Sequence, residues 1–335
     1  MELTFGLRML FATVCAVAVA TIYAAQPVLA QVGDDLGVPE ADLGWIVTAG
    51  QLGYLVGLVL LVPFGDMYDR RRLISGHLLL AAVGVALAAT AARTWLLLTG
   101  LAVAGLFAVV VQTTVAYAAA LSTPEERGRT LGVVTSGVVV GILGARVVAG
   151  TLAAVWGWRS VYIGLAVLLV ALACVVVRLL PPEPRPRQAT YLQVLTSFGQ
   201  LFRERLFVSR GLIAFFLFAS FGTLWSGLAL PLAAAPWHLS TAQIGLFGIA
   251  GLAAVHVSNQ HLLTAAHPNR TSSVIGGYMF FYSLGSALGA TATTAVFSIA
   301  GWTGSTILGA AFATCALIVW AVSRRDVTNA MASHD

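Results

Sequence analysis

Polar side chains are rare within the long apolar stretches of this chain, and those few bound the chemistry open to it. All 18 basic residues are arginine, and Arg146 alone falls deep inside an apolar run. The 13 acids lie at the ends of such runs or between them, so Arg146 has no carboxylate at its own depth. An arginine facing hydrocarbon costs at least about 2.5–3.5 kcal/mol, so it must face water, protein or an anion. Two uses are physically sensible. It binds an anionic or strongly polar group of a ligand, or it donates to backbone carbonyls and to tyrosine or glutamine oxygens. Tyr23, Gln26, Gln51, Tyr54, Gln112 and Tyr117 are candidates to line the same cavity, joined from the second half by Trp225, Tyr278 and Tyr282. Tyr278 and Tyr282 are four residues apart and share a helical face. Singly, each is more often a packing residue. Together they suggest a largely apolar, aromatic pocket with a few polar groups, which suits an amphiphilic solute.

Nothing else in the sequence points to catalysis. No clustered nucleophile, metal-ligand set or pair of acids occurs inside an apolar run, and no cofactor motif appears. Cys15, Cys174 and Cys315 all lie within apolar runs, far from any Cys-x-x-Cys spacing. His77 and His238 fall near run ends, and His256, His261 and His267 lie at or beyond the end of another run, near the cytoplasmic surface.

The elements that carry these residues are membrane spans. The chain is 59% hydrophobic and 9% charged, with mean hydropathy +0.91, too apolar for a soluble domain of 335 residues. Crossing a ~30 Å hydrocarbon core takes roughly 20 helical residues. Runs of that kind cover about Met9–Ala30, Leu43–Phe64, Leu73–Ala92, Trp95–Leu121, Thr130–Val155 and a sixth ending near Leu180. Residues 181–210, rich in proline and arginine, read as a cytoplasmic linker whose stretch Gln193–Leu206 forms an amphipathic helix on the membrane surface. Further runs follow at Gly211–Ala235, Ala242–Val257, Ser272–Ile299 and Thr303–Val322, making ten. The expected fold is all-α and membrane-embedded: a six-helix bundle (1–180), the linker (181–210) and a shortened bundle of about four helices (211–335).

On this reading 15 arginines lie on one side of the membrane and two, Arg93 and Arg159, on the other. The positive-inside rule makes the rich side, with both termini and the linker, cytoplasmic. The net charge of +5 is thus topological and implies no nucleic acid. Arg8 and the apolar run after it could mimic a secretory signal, but Tyr23, Gln26 and Pro27 read better as polar points in a retained helix.

An internal repeat sets the architecture. Val38–Gly44 is echoed by Leu239–Gly245 at an offset of 201 residues. Arg129-Thr130 through Gly157-Trp158 is echoed by Arg270-Thr271 through Gly301-Trp302 at an offset of only 141 to 144. Two halves of one repeat should share one offset, so roughly 57 to 60 residues are missing from the second half, between about Gly251 and Val257. Two spans go with them, and the parity of the topology is kept.

Between the second and third spans stands Gly65-Asp66-Met67-Tyr68-Asp69-Arg70-Arg71-Arg72. Gly65-x-x-x-Asp69-Arg70, followed by Arg71 and Arg72, resembles a shortened form of the loop 2–3 signature of the major facilitator superfamily. Tyr23-Ala24-Ala25-Gln26-Pro27, Gly141-Ile142-Leu143-Gly144-Ala145-Arg146 and Asn259-Gln260 look like bacterial drug- or sugar-efflux members of its drug:proton antiporter group. Two features depart from that group: its span-four arginine is absent, and its Gly-Pro in span five is here Gly144-Ala145. The resemblance implies a monomeric, multi-pass transporter of the plasma (inner) membrane that moves a small solute by alternating access, with protons as counter-ion. It also implies a gating loop of Gly65, Asp69, Arg70, Arg71 and Arg72, with Asp69 docking on the helix that opens at Thr271-Ser272-Ser273. No acid lies in a span to carry the proton. The shortened repeat leaves a rival reading, an incomplete member that transports nothing.

Overall fold

The computed structural model describes residues 4–39, 42–182, 191–233, 263 and 271–332, and among these every regular element is helical. Helix α1 (Phe5–Tyr23) opens at Thr4, whose hydroxyl accepts from Leu7 N at 3.4 Å. It does not run on to Ala30. Pro27 lacks the N–H that would bond the carbonyl of Tyr23, four residues back, and its ring crowds that carbonyl. The chain therefore bends through a 3-10 turn (Gln26–Val28) into a short helix α2 (Leu29–Leu36), which stops at Gly37 with φ 66°. Asp34 and Asp35, expected in a loop, ride on α2.

Proline acts in the same way at the end of the second span. Helix α3 (Gly44–Leu60) stops before Pro63, and a 3-10 turn (Val62–Asp66) follows. Helix α4 (Arg70–Ala89) then starts earlier than the apolar run suggests, so the three arginines form its first turn. Asp69 makes this possible: its carboxylate caps the helix, accepting from Arg71 N at 2.9 Å. The fourth span is two helices, α5 (Thr94–Phe107) and α6 (Val110–Leu121), broken at Ala108–Val109. Helices α7 (Pro124–Trp156) and α8 (Trp158–Leu179) complete the first half.

Residues 1–191 form one compact unit. In it α1 lies along α7, α3 along α5, and α4 against both α5 and α8. Small residues permit these approaches, as expected where apolar burial alone does not drive helices together. A Cβ on Gly137 or Gly141 would collide with the backbone of Ala12 or Ala16, whereas one on Gly144 would meet nothing within 4 Å. Gly137, Gly141 and Gly144 fall on one stripe of the helix at 100° per residue, but only the first two make the contact. Val140, Val147, Val148 and Val155 of α7 are exposed, as are Ile163 and Val167 of α8. Apolar surface of this extent suits lipid.

Residues 192–335 form the second unit. The linker helix α9 (Tyr191–Leu201) ends short of the expected Leu206, and α10 (Arg205–Ala233) begins six residues before the expected Gly211. Helix α10 packs along α11 (Thr271–Ala332), with Gly285 and Gly289 against the backbone of Phe215 and Ala219. Gly301 kinks α11 at φ 59°, ψ −154°, dividing it into two spans. Its repeat counterpart, Gly157, turns α7 into α8 at φ 78°, ψ 163°. Both glycines precede a tryptophan and occupy a backbone region essentially closed to other residues. The echo in sequence is therefore an echo in conformation.

Among the described residues eight helices are long and apolar enough to cross a membrane, and Gly44–Leu60 is a shorter apolar helix. The expected span Ala242–Val257 lies outside the described residues. The described part of the chain is an all-α membrane protein, with fewer membrane-crossing helices than the twelve of the superfamily it resembles.

Candidate functional site

Three of the polar residues singled out in the first unit, Tyr23, Tyr54 and Gln112, lie where α1, α3 and α6 meet. Gln112, on α6, is 1% exposed, and its side-chain amide donates to the hydroxyl of Tyr54 on α3. Tyr23, at the end of α1, and the buried Cys15 both lie near Tyr54. Gln51 lies three residues before Tyr54 on α3 and is half-buried. Gln26 is half-buried in the 3-10 turn that ends α1. The break caused by Pro27 therefore falls where two candidate residues sit, and it exposes backbone polar groups that an unbroken helix would consume.

Arg146 is 7% exposed on α7. The pairing of α1 with α7 places it by depth. Ala16 meets Gly141, and a Cβ on Gly150 would lie 3.9 Å from that of Pro27, so Arg146 stands level with the last turn of α1. Ala149 and Ala153, its neighbours on that face, are buried too. The face opposite the glycine contact thus looks into the unit, and it carries a charge.

Tyr117, by contrast, lies near the end of α6. Its hydroxyl donates to the carbonyl of Pro181, and its ring meets Phe11 edge-on at 5.7 Å. In the second unit Tyr278 is buried on α11, and Tyr282 lies against Phe218 of α10, ring centroids 3.7 Å apart. Trp225 falls on α10, with its side chain outside the described residues.

In the arginine segment, Gly65 is buried in the 3-10 turn and Arg70 is half-buried. Arg71 donates to the carbonyl of Val177 in the last turn of α8, where a helix end favours a cation. Arg72 is exposed, its Nε 3.9 Å from Asp69 Oδ2. Tyr191 leans on the same segment: its ring stacks on Phe64 at 5.1 Å and its hydroxyl donates to Leu60 O at 3.1 Å. At the same membrane face Arg8 and Glu126 pair at 2.8 Å and tie the start of α1 to the start of α7.

One cluster escapes the sequence reading. Asp35 on α2 accepts from Arg159 at 2.6 Å and from Trp158 Nε1 at 3.3 Å. The guanidinium beside it holds the Asp35 carboxyl below its usual range. The available signal was a charge match: Asp34 and Asp35 follow the first apolar run, and Arg159 is one of the two arginines that the sequence reading sets on the opposite side from the other fifteen.

Comparison with known proteins agrees with this architecture. Residues 9–255 match the Major Facilitator Superfamily. The chain is 33% identical to the putative uncharacterized transporter YgaY of Escherichia coli strain K12, covering 95% of this chain and 96% of that one. That alignment is 377 residues long, yet 95% of 335 residues is about 318, so about 59 positions face gaps. A chloramphenicol resistance protein of Streptomyces lividans is 30% identical over 55% of this chain and 47% of its own length. The human organic anion transporter MFSD10 shares the fold, with TM-score 0.62 at 16% identity over 93% of this chain and 99% of that one. The chain belongs to the Major Facilitator Superfamily and is a multi-pass membrane transporter.

Proposed function

We propose that this transporter exports an amphiphilic, drug-like or sugar-like solute from the cytoplasm by alternating access between its two halves, working as a monomer in the inner membrane. The observation that carries the reading is the polar interior of the first unit. Gln112, Tyr54 and Tyr23 gather at one junction, and Arg146 is buried at the level of the same turn of α1. Buried polar groups in a span are expensive and mark solute pathways. The similarity to a chloramphenicol resistance protein supports outward transport of a drug-like compound. Both termini and the linker lie on the cytoplasmic side in this scheme, and Asp69 with Arg70, Arg71 and Arg72 gates that side.

Proton coupling has its support in the antiporter resemblance alone, since the spans contain no Asp or Glu between their ends. Purified protein in liposomes, loaded with a panel of drugs and sugars, tests both points. A compound that moves only with protein present establishes export. Faster movement under an imposed pH gradient establishes the coupling, and identical rates with and without the gradient remove it.

A second reading is favoured by one observation, the roughly 59 gapped positions against a relative of otherwise matching length. On that reading the chain inserts but transports nothing. Failure across the whole panel, with protein correctly inserted, selects it.

A further inference from the structure

The outer end of the first unit holds a cluster that the candidate site does not include. Asp35 lies in the last turn of α2, and its Oδ2 accepts from both Arg159 and Trp158, at 2.6 and 3.3 Å. The same guanidinium donates to the carbonyl of Ala91, just past the end of α4, at 2.9 Å. It also lies 4.3 Å over the Trp158 ring. One arginine thus joins α2, the α4–α5 turn and the α7–α8 turn, and its planar fork lets it serve two acceptors at once.

The joint matters because α2 is hinged. The break at Tyr23–Val28 separates it from α1, so the rod of span one does not fix its direction. Along its length α2 is held by Val32, which is buried, and by Gln31, whose amide donates to Ala153 O at 3.5 Å. Asp35 holds the far end. We propose that Asp35 and Arg159 are positioning residues: by fixing the end of α2 they set the bend at Tyr23–Val28, and with it the placement of Tyr23 and Gln26 in the candidate site. The inference rests on the reading of that site as the solute pathway. Both side chains of the pair are partly exposed, at 45% and 39%, and such pairs add little to overall stability. Its leverage is geometric.

Solvent access to Gln26 reports the bend without any need for a known solute. The full chain, with Cys15, Cys174 and Cys315 replaced by alanine, carries Gln26→Cys as reporter. A control chain carries Asp42→Cys, at an exposed polar position between α2 and α3, outside every span. Both are labelled in intact cells with a membrane-impermeant maleimide. Asp35→Asn and Arg159→Gln should each change the rate at position 26 by roughly threefold, a population shift within the reach of an exposed ion pair, with the rate at position 42 unaltered. The exchange of Asp35→Arg with Arg159→Asp should return the rate toward that of the parent. If Asp35→Asn does not reach the membrane, Arg159→Lys carries the same expectation, since it keeps the charge and loses the fork. Equal rates in the single variants overturn the proposal, and so do equal changes at both reporters, which signify general loosening. Labelling needs no transport, so a failed uptake assay leaves this test standing.

Discussion

Arg146 and Gln112 solve the same problem differently. Gln112 spends its amide on Tyr54 within the packed interior, whereas Arg146 brings a full charge to the level of the last turn of α1. Arg146→Ala should abolish uptake in liposomes with membrane levels unchanged, and Arg146→Lys should retain part of it. Lysine restores the charge but not the planar fork. Normal uptake by Arg146→Ala makes the residue structural. For Gln112, replacement by leucine leaves the Tyr54 hydroxyl buried without that donor. Interhelical hydrogen bonds in membranes average about 0.6 and reach about 1.7 kcal/mol. Gln112→Leu should therefore lower the unfolding temperature of the detergent-solubilised protein by a few degrees, and adding Tyr54→Phe should recover part of the loss. The candidates themselves were legible, because polar residues stand out in apolar runs. Their pairing was not: the partners are 58 positions apart, and spacing along the chain does not say which helices touch.

Span positions follow from hydropathy, and helix ends follow from finer signals. Pro27 and Pro63 stood in the sequence where α1 and α3 stop, yet apolar length alone runs past both. The break between α5 and α6 has no proline beside it, and only the backbone reveals it. Glycines divide in the same way. Gly137, Gly141 and Gly144 share a stripe, but α1 touches only the first two. Gly141→Ala should force α1 and α7 apart at Ala16 and cost about 1–3 kcal/mol, the usual range for overpacking. Gly144→Ala should be tolerated, and thermal unfolding of the two variants side by side checks the contrast. At the start of α4, Asp69 is both a cap and a charge. Asparagine caps as well as aspartate, while alanine loses about 1 kcal/mol of helix stability. Asp69→Asn therefore isolates the charge. It should raise cytoplasmic labelling of a cysteine at Tyr23→Cys without reducing insertion, if the charge closes that side. Unchanged labelling reduces the arginine turn to a topological anchor.

For the whole molecule, two independent measures agree on what is absent. The mismatch of repeat offsets gives roughly 57 to 60 residues, and the alignment to the E. coli relative leaves about 59 positions gapped. A helical pair of spans with its loops has about that length, so a loss of this size fits the removal of an even number of crossings. Charge placement supports the same parity. On the proposed topology Arg159 is an outer arginine, and its pairing with Asp35 means that it opposes the inside bias of the others very little. The same topology has Arg324 and Arg325 hold the end of α11 in the cytoplasm. Reporter fusions test this directly, using one protein that fluoresces only in the cytoplasm and one enzyme active only outside it. Fused after Asp335 and within 183–190, the first should light and the second stay silent at both sites. An active external enzyme after Asp335, with a cytoplasmic linker, means an odd number of crossings in the second half. The residues missing from the second half would then be something other than a pair of helices, and the repeat would have to be realigned around them.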